Sequence, residues 1–569
     1  MVGSIIPFLT VLSAPETIET NTYLSWIHDS FGFSSTHGFL VALGLGSILV
    51  IVVASLIQMV RAYAVAYFAQ TKALNLSTEL LRTYLSQPYE FFLGQHTGEM
   101  GTKILAECQT VVGQFYRPAA NIIASLFSIL AILGLLLWVN PGVTIVCLAV
   151  LTVFYGSVFF GVRRRLQKFG EIRITTNKLR YRIANEALSG IKEIKLLGRE
   201  ANYLDRFAIP AREMTRTQIY SAVVSELPGY FLQGIAFAGI ILLSLVLLGK
   251  ADLDGGGALG EIVPLLGVFA FAGQRLIPEL QRIYLSFSLL QYGSAALLAL
   301  HGDLKLRLDE RQLEPPASSS MGLKKHLELV DVTYRYPNAK QAGLSHVSLK
   351  IAAGEKVGIV GSTGAGKTTL ADLLLGLILP ESGEIRVDGS AVTPENRRAW
   401  QRTVGYVPQD IYLIDATIIE NIGFGLPRDR INTVRAKEAC RIAQLDNFIE
   451  SELPHGYDTM IGERGIRLSG GQRQRIGIAR ALYHDAEFFV FDEATSALDN
   501  LTESEVMSAI NSLPGDKTVL LIAHRLSTLR QCDRIIVLDQ GRLAGSGSWD
   551  ELMKSSNVFQ RMASFSKAS

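Results

Sequence analysis

The sequence predicts two domains of different class in one chain, an all-α membrane domain of six helices followed by an α/β domain built around a phosphate loop. Three observations predict this. The first 300 residues carry uncharged runs of membrane length, and the last 245 are of different material. A glycine-rich run, GSTGAGKT at Gly361 to Thr368, is entered by the β-branched stretch Lys356 to Val360 and left by a helical one, Thr369 to Leu377. A second apolar strand, FFVFDE at Phe488 to Glu493, ends in two acids. The expected boundaries are 1–306 for the membrane domain, 307–324 for a linker and 325–569 for the α/β domain.

Taken in order, the chain opens on a short apolar piece, Val2 to Ser13. It lacks the basic leader of a secretory signal, so no cleavage is expected. Fifteen uncharged residues open the chain, and as a helix they cover only about 22 Å of a hydrocarbon core of about 30 Å. The first span is therefore expected to be truncated, or its true start to lie upstream. Phe39 to Val60 is 22 residues without a charge and Leu227 to Gly249 is 23; each exceeds the roughly 20 that a spanning helix needs. Pro118 to Val162 is 45 uncharged residues interrupted by Val139-Asn140-Pro141-Gly142, which reads as two spans and a tight turn. Gly260 to Leu300 is a last, more polar span.

Lys and Arg mark the cytoplasmic side of short loops. Ala14 to Gly38 has neither, whereas Arg163 to Ser225 carries 14 and Arg61 to Arg117 carries 5. The long basic stretches are thus inside and read as helices that outrun the membrane, with apolar Ile183, Ala187, Ile191 and Ile194 between charges. The α/β portion lies in the cytoplasm with them. Arg307 to Ser320, with Pro315-Pro316 and a run of serines, is a linker. A net charge of +2 on 569 residues leaves no strongly basic surface for nucleic acid. The four cysteines, at 108, 147, 440 and 532, have no metal-ligand spacing and read as structural.

Gly361, Gly364 and Gly366 let backbone N–H groups curl around phosphate oxygens at a helix N-terminus, together with Ser362, Thr363 and Ala365 of the same loop. Lys367 is expected to reach the β- and γ-phosphates and the Thr368 hydroxyl to ligate Mg²⁺, with Thr369 beside it. Asp492 is expected in the magnesium shell, and Glu493 as the general base or the group that orients the attacking water. Taken singly, an Asp-Glu pair could simply end a strand at the surface, and the glycines of LSGGQ at Leu468 to Gln472 could form a plain turn.

From about Leu327 to the C-terminus, these runs in this order resemble the nucleotide-binding domain of ABC transporters. The resemblance implies that Tyr336 in YRYP stacks on adenine and that Gln409 in VPQ senses metal and attacking water. It implies that His524 in IAHR touches the γ-phosphate, that Ser469, Gly470, Gly471 and Gln472 bind it from an opposite subunit, and that Asp499 in SALD signals between two sites. Glu463 and Arg464 in GERG resemble an exporter-specific segment. A chain with one membrane half and one ATPase half implies two chains, most simply a homodimer, since both halves of the sandwich are intact.

Two features bear on the cargo. Arg61 closes the second span, and Arg275 and Arg282 lie seven residues apart on the last. Counted from Gly260, Arg275 lies about 22 Å along its helix; a charge that deep costs about 3 kcal/mol even on lenient scales, so it is expected to face a lumen or a partner. Glu279 could equally neutralise either arginine on its own helix, and Arg61 could snorkel to the interface. The external stretch Thr22 to Phe33 reads either as a short amphipathic helix on the outer leaflet or as a packed loop. IIPFLT at the start, that external helix and QRLIPELQRI at Gln274 to Ile283 together resemble the bacterial lipid-linked oligosaccharide flippase of N-glycosylation. In that family lumenal arginines engage a pyrophosphate, which implicates Arg61, Arg275 and Arg282; one family arginine falls near Gly229, where this chain has none. The whole implies an ATP- and Mg²⁺-dependent exporter in a bacterial inner membrane, acting on a polyprenyl-pyrophosphate oligosaccharide, with export of a peptide or a hydrophobic drug as the alternative.

Overall fold

The structure, a computed structural model, describes residues 7–8, 10–12, 15–33, 35–248, 258–313, 320–337, 339–462, 465–494, 500–523 and 525–566. It divides into two units, 1–87 with 95–309, and 88–94 with 310–569. The first unit is helical. After α1 (Thr22–Ser30) come α2 (Thr36–Leu85), α3 (Thr97–Val139), α4 (Pro141–Ser189), α5 (Glu200–Leu248) and α6 (Ala258–Leu304). Among the described residues, α2, α3, α4 and the Leu266–Leu304 part of α6 are long and apolar enough to cross a membrane. The run predicted as the fifth span is helical to Leu248 as the distal half of α5, and the opening piece lies mostly outside the described residues.

Local chemistry sets the ends of these helices. Asn140 is extended, and its side chain accepts the Val143 amide to start α4 with Pro141 at its first turn. In the same way the Asn21 side chain accepts the amides of Tyr23 and Leu24 to start α1. Within α3 the ladder widens into π turns at Lys103–Glu107 and Val112–Tyr116. The second precedes Pro118, which has no N–H to give to the Gln114 carbonyl four residues back. Gly293 of α6 packs there so closely that a Cβ would sit 2.5 Å from that of Gln114. Outward-facing apolar side chains such as Leu45, Ile57, Phe127 and Val153 are exposed, as a lipid-facing surface requires.

The second unit holds two sheets. β1 (His326–Tyr334), β2 (Leu344–Ala352), β4 (Ser382–Val387) and β5 (Ser390–Ala391) form an antiparallel sheet in the order β2-β1-β4-β5. The larger sheet has the order β10-β9-β3-β8-β7-β6, from β3 (Lys356–Gly361), β6 (Val404–Val407), β7 (Phe488–Asp492), β8 (Thr518–Ile522), β9 (Arg534–Asp539) and β10 (Arg542–Gly547). All its pairings are parallel except β9 with β10. This sheet is a wall between two cores. Phe488 and Val490 of β7 belong to one and Phe489 and Phe491 to the other, the period of two that a strand buried on both faces must show. The carboxyl ends of β3, β8, β7 and β6 therefore share one edge.

Candidate functional site

At that edge β3 runs into the glycine loop. Gly364 and Gly366 have φ of +81° and +98°, where side chains are strained. A Cβ on Gly366 would lie 2.7 Å from the Gly343 carbonyl oxygen, and one on Gly361 would lie 2.6 Å from that of Leu538. The loop closes through the Ala365 amide on the Ser362 carbonyl at 3.0 Å, and α7 (Lys367–Leu374) starts from Gly366. The buried Lys367 ammonium donates to the carbonyls of Gly361 at 2.8 Å and Ser362 at 3.3 Å. Burial pulls its pKa below the usual lysine value, opposed by the charges of Glu493 and Asp492. Those carboxylates are near because β7 lies two strands from β3, about 10 Å across the sheet.

Ser362, Thr363 and Thr368 are exposed, while Ala365 and Thr369 are buried. The Tyr336 hydroxyl lies 3.1 Å from Thr369 Oγ1, and its ring meets Tyr334 edge-on at 5.1 Å. The residue predicted to stack on adenine is thus fastened to the phosphate helix. Asp492 ends β7 and Glu493 follows at φ +50°, its amide donating to the Ile522 carbonyl at 2.9 Å. Gln409 is exposed two residues beyond β6. His524, Asp499, Glu463 and Arg464 lie outside the described residues.

LSGGQ forms the start of α8 (Gly470–Tyr483). Ser469 Oγ accepts the Gln472 amide at 3.2 Å, and Gln472 Oε1 accepts the Ser469 amide at 2.8 Å. This reciprocal cap leaves Ser469 and Gly470 exposed at a helix N-terminus. Leu468 and Ile476 belong to one core of the unit, whereas Ala365 and Leu370 of the phosphate loop and helix belong to the other. The two nucleotide-binding motifs thus stand on separate cores.

Sequence reading missed residues here. Tyr89, on the short helix Tyr89–Leu93, belongs to the second unit although its neighbours in sequence are membrane helices. Burial raises its phenol, with Asp372 and Tyr336 adding to the rise. Burial also pushes the Asp372 carboxyl up to about 6, with Asp492 adding to the effect. Asp372 lies one turn beyond Thr368 on α7, in the stretch read above only as a helix, and its nearness to Asp492 depends on how β7 packs beside that helix.

In the first unit Arg61, Arg117 and Arg282 line one cavity of about 340 Å³ with Gln58 and Asn121. Arg61 Nη1 donates to Glu279 Oε1 at 3.3 Å and Nη2 to Ser125 Oγ at 3.3 Å. Arg282 Nη1 donates to both Glu279 oxygens, at 2.8 and 2.9 Å. Arg275 is exposed on the same helix. Arg117, counted above only among the basic residues of the stretch from Arg61, completes the set. A Cβ on Gly229 would lie 2.2 Å from Gln281 Nε2, so any side chain there would displace Gln281.

A mostly parallel sheet with a phosphate loop, a capped LSGGQ helix and a strand-end Asp-Glu pair, preceded by membrane-length helices, defines an ATPase coupled to transport across a membrane. The chain belongs to the ABC transporter family and is a half-transporter of the exporter type. Residues 344–496 match the family described as ABC transporter, and residues 4–271 that described as ABC transporter transmembrane region. The chain is 32% identical over 515 residues to an ATP-dependent lipid A-core flippase of Cupriavidus metallidurans, covering 90% of this chain and 84% of that one. It is 32% identical over 512 residues to a protein of the same name in Dechloromonas aromatica, covering 89% and 85%. A solved bacterial Atm1-family ABC exporter with ATP bound matches with a TM-score of 0.75 and 25% identity, over 99% of this chain and 97% of that one.

Proposed function

We propose that two copies of this chain form an ATP-driven flippase in a bacterial inner membrane for a lipid whose headgroup carries phosphate and sugar. A polyprenyl-pyrophosphate oligosaccharide is the cargo that the sequence favours, and lipid A-core is the cargo in the relatives' names. The observation that supports this most is the meeting of Arg61, Arg117 and Arg282 at one cavity. Arg61 follows one uncharged run and Arg117 precedes another, so both mark the basic, cytoplasmic ends of spans. That is the depth of inner-leaflet headgroups, and guanidinium forks match phosphate oxygens. A peptide or an uncharged drug gives such a cluster nothing to bind.

The nucleotide site fits ATP with Mg²⁺. The Gly361 to Gly366 cradle has no room for a Cβ at two positions, and Lys367, Thr368, Asp492 and Gln409 supply an ammonium and hard oxygen donors. Among the described residues no group of three or more His, Cys, Asp and Glu is placed to hold a metal ion by itself. That suits a cation which keeps water and phosphate ligands rather than an all-protein cage. Bound there, the metal would neutralise charge on the β- and γ-phosphates. Glu493 accepts a proton from, or orients, the attacking water; Lys367 holds the phosphates; Ser469 to Gln472 would close the site from the second copy.

Stimulation of ATP hydrolysis by lipid tests the cargo. Pyrophosphate-bearing lipid is expected to raise turnover by the wild type and to do so far less for Arg117→Ala and Arg282→Ala. Equal stimulation of all three by that lipid, or stimulation only by uncharged amphiphiles, would defeat the cargo assignment.

A further inference from the structure

Glu279 lies among the arginines, and the established reaction gives it no task. Its side chain is 12% exposed, against 23% for Arg61 and 41% for Arg282. One carboxylate therefore bridges guanidiniums from two different helices, α2 and α6, while Ser125 of α3 holds the first of them. Arg61 and Arg282 share this carboxylate and Arg117 lines the cavity beside them, so three guanidiniums against one carboxylate leave two net positive charges there. Unscreened arginines at this depth would collect any anionic phospholipid, and phosphodiesters are the commonest anions in a bilayer.

We propose that Glu279 is a tethered counter-anion that occupies Arg61 and Arg282 in place of cargo, and so sets the charge a headgroup must carry to bind. The inference rests on the lipid-flippase reading above. A carboxylate fixed to the protein competes at high effective concentration. A phosphodiester with a single charge gains little by displacing it. A pyrophosphate brings more charge and more acceptor oxygens, satisfies both forks at once, and displaces the carboxylate toward the amides of Gln58 and Asn121, which line the same cavity. Specificity then comes from a built-in competitor as much as from attraction. Glu279 is a specificity-determining residue, not a catalytic one.

The test uses the purified full-length chain in nanodiscs of phosphatidylcholine, with farnesyl pyrophosphate and phosphatidylglycerol as probes and affinities read by native mass spectrometry. Wild type is expected to prefer the pyrophosphate by about tenfold or more, and Glu279→Gln to bind phosphatidylglycerol about tenfold more tightly, so that the preference collapses. The double variant Glu279→Gln with Arg61→Gln keeps the wild-type net charge without the carboxylate. It also serves if the single variant does not fold. It too should lose the preference, since the tethered anion rather than the net charge discriminates. A preference unchanged in either variant, or loss of pyrophosphate binding in Glu279→Gln, overturns the proposal and leaves the flippase reading standing. Wild type that binds neither probe, or binds both equally with and without Arg117 and Arg282, overturns both.

Discussion

Glu493 stands at φ +50°, a left-handed conformation that costs a glutamate about 1–2 kcal/mol. Its amide bond to Ile522 on the neighbouring strand holds it there, and strain persists at such positions when the surroundings over-determine them. Two substitutions separate strain from chemistry. Glu493→Gln keeps the strain and loses the acid; hydrolysis should fall by about 10²- to 10⁴-fold while nucleotide binding remains. Glu493→Gly relieves the strain, so its thermal midpoint should be no lower than wild type although hydrolysis is lost. Turnover within tenfold of wild type in either would remove the role assigned to Glu493. Gly366→Ala meets both a φ of +98° and the Gly343 carbonyl at 2.7 Å. It should weaken nucleotide binding by about tenfold or more, measured by titration with a fluorescent ATP analogue.

Among the elements, α3 and α4 are clasped by a buried ion pair. Arg173 Nη2 donates to Glu107 Oε2 at 3.1 Å with side chains 5% and 7% exposed, and Asn177 Nδ2 donates to Glu107 Oε1 at 3.2 Å. Glu107→Gln leaves the Arg173 charge buried without its counter-ion and should cost about 3–5 kcal/mol, seen as a lower unfolding midpoint in detergent. A change under 1 kcal/mol would show that water reaches Arg173. In the second unit Asp388, in the turn between β4 and β5 at φ +49°, accepts the amides of Lys324, Lys325 and His326 at 2.8 Å each. Burial alone would raise its carboxyl, but those three bonds hold it below the ordinary value. A lowered acid stabilises the fold above its unfolded pKa, and the contribution fades as pH falls through its folded one. The stability gap between wild type and Asp388→Asn should thus be full at pH 6 and narrow below about pH 4. A gap independent of pH would mean that the ionised carboxylate is not what holds the strand.

Four of the expected spans, the phosphate loop and the Asp-Glu strand end were legible because each is a contiguous run whose period or composition signals its own structure. Pairing between distant segments was not. Glu279 could be read as a neighbour of Arg282 on one helix, but its hold on Arg61 joins residues 218 apart in sequence. Arg117 was only one of five basic residues in its stretch, because the arginines it joins at the cavity, Arg61 and Arg282, lie on other helices. The π turns of α3 give no signal beyond Pro118, and the grouping of Tyr89 with the second unit cannot be deduced from a segment between two membrane helices.

For the whole molecule, the phosphate loop and LSGGQ stand on different cores of one unit, so a complete site supports a second copy of the chain as the partner. Assemblies of one wild-type and one Glu493→Gln chain report on this: half or less of wild-type turnover is expected from them, and undiminished turnover by each wild-type chain would mean that the copies act alone. In the proposed function ATP turnover moves a phosphorylated lipid from one leaflet to the other. The most direct measurement reconstitutes the chain in liposomes carrying a fluorescent polyprenyl-pyrophosphate sugar and follows its protection from an external quencher. Wild type should translocate it only with ATP and Mg²⁺, and Glu493→Gln and Arg282→Ala should not. Sustained ATP hydrolysis by the wild type with no change in leaflet distribution, or translocation of equal rate by Arg282→Ala, would contradict the account.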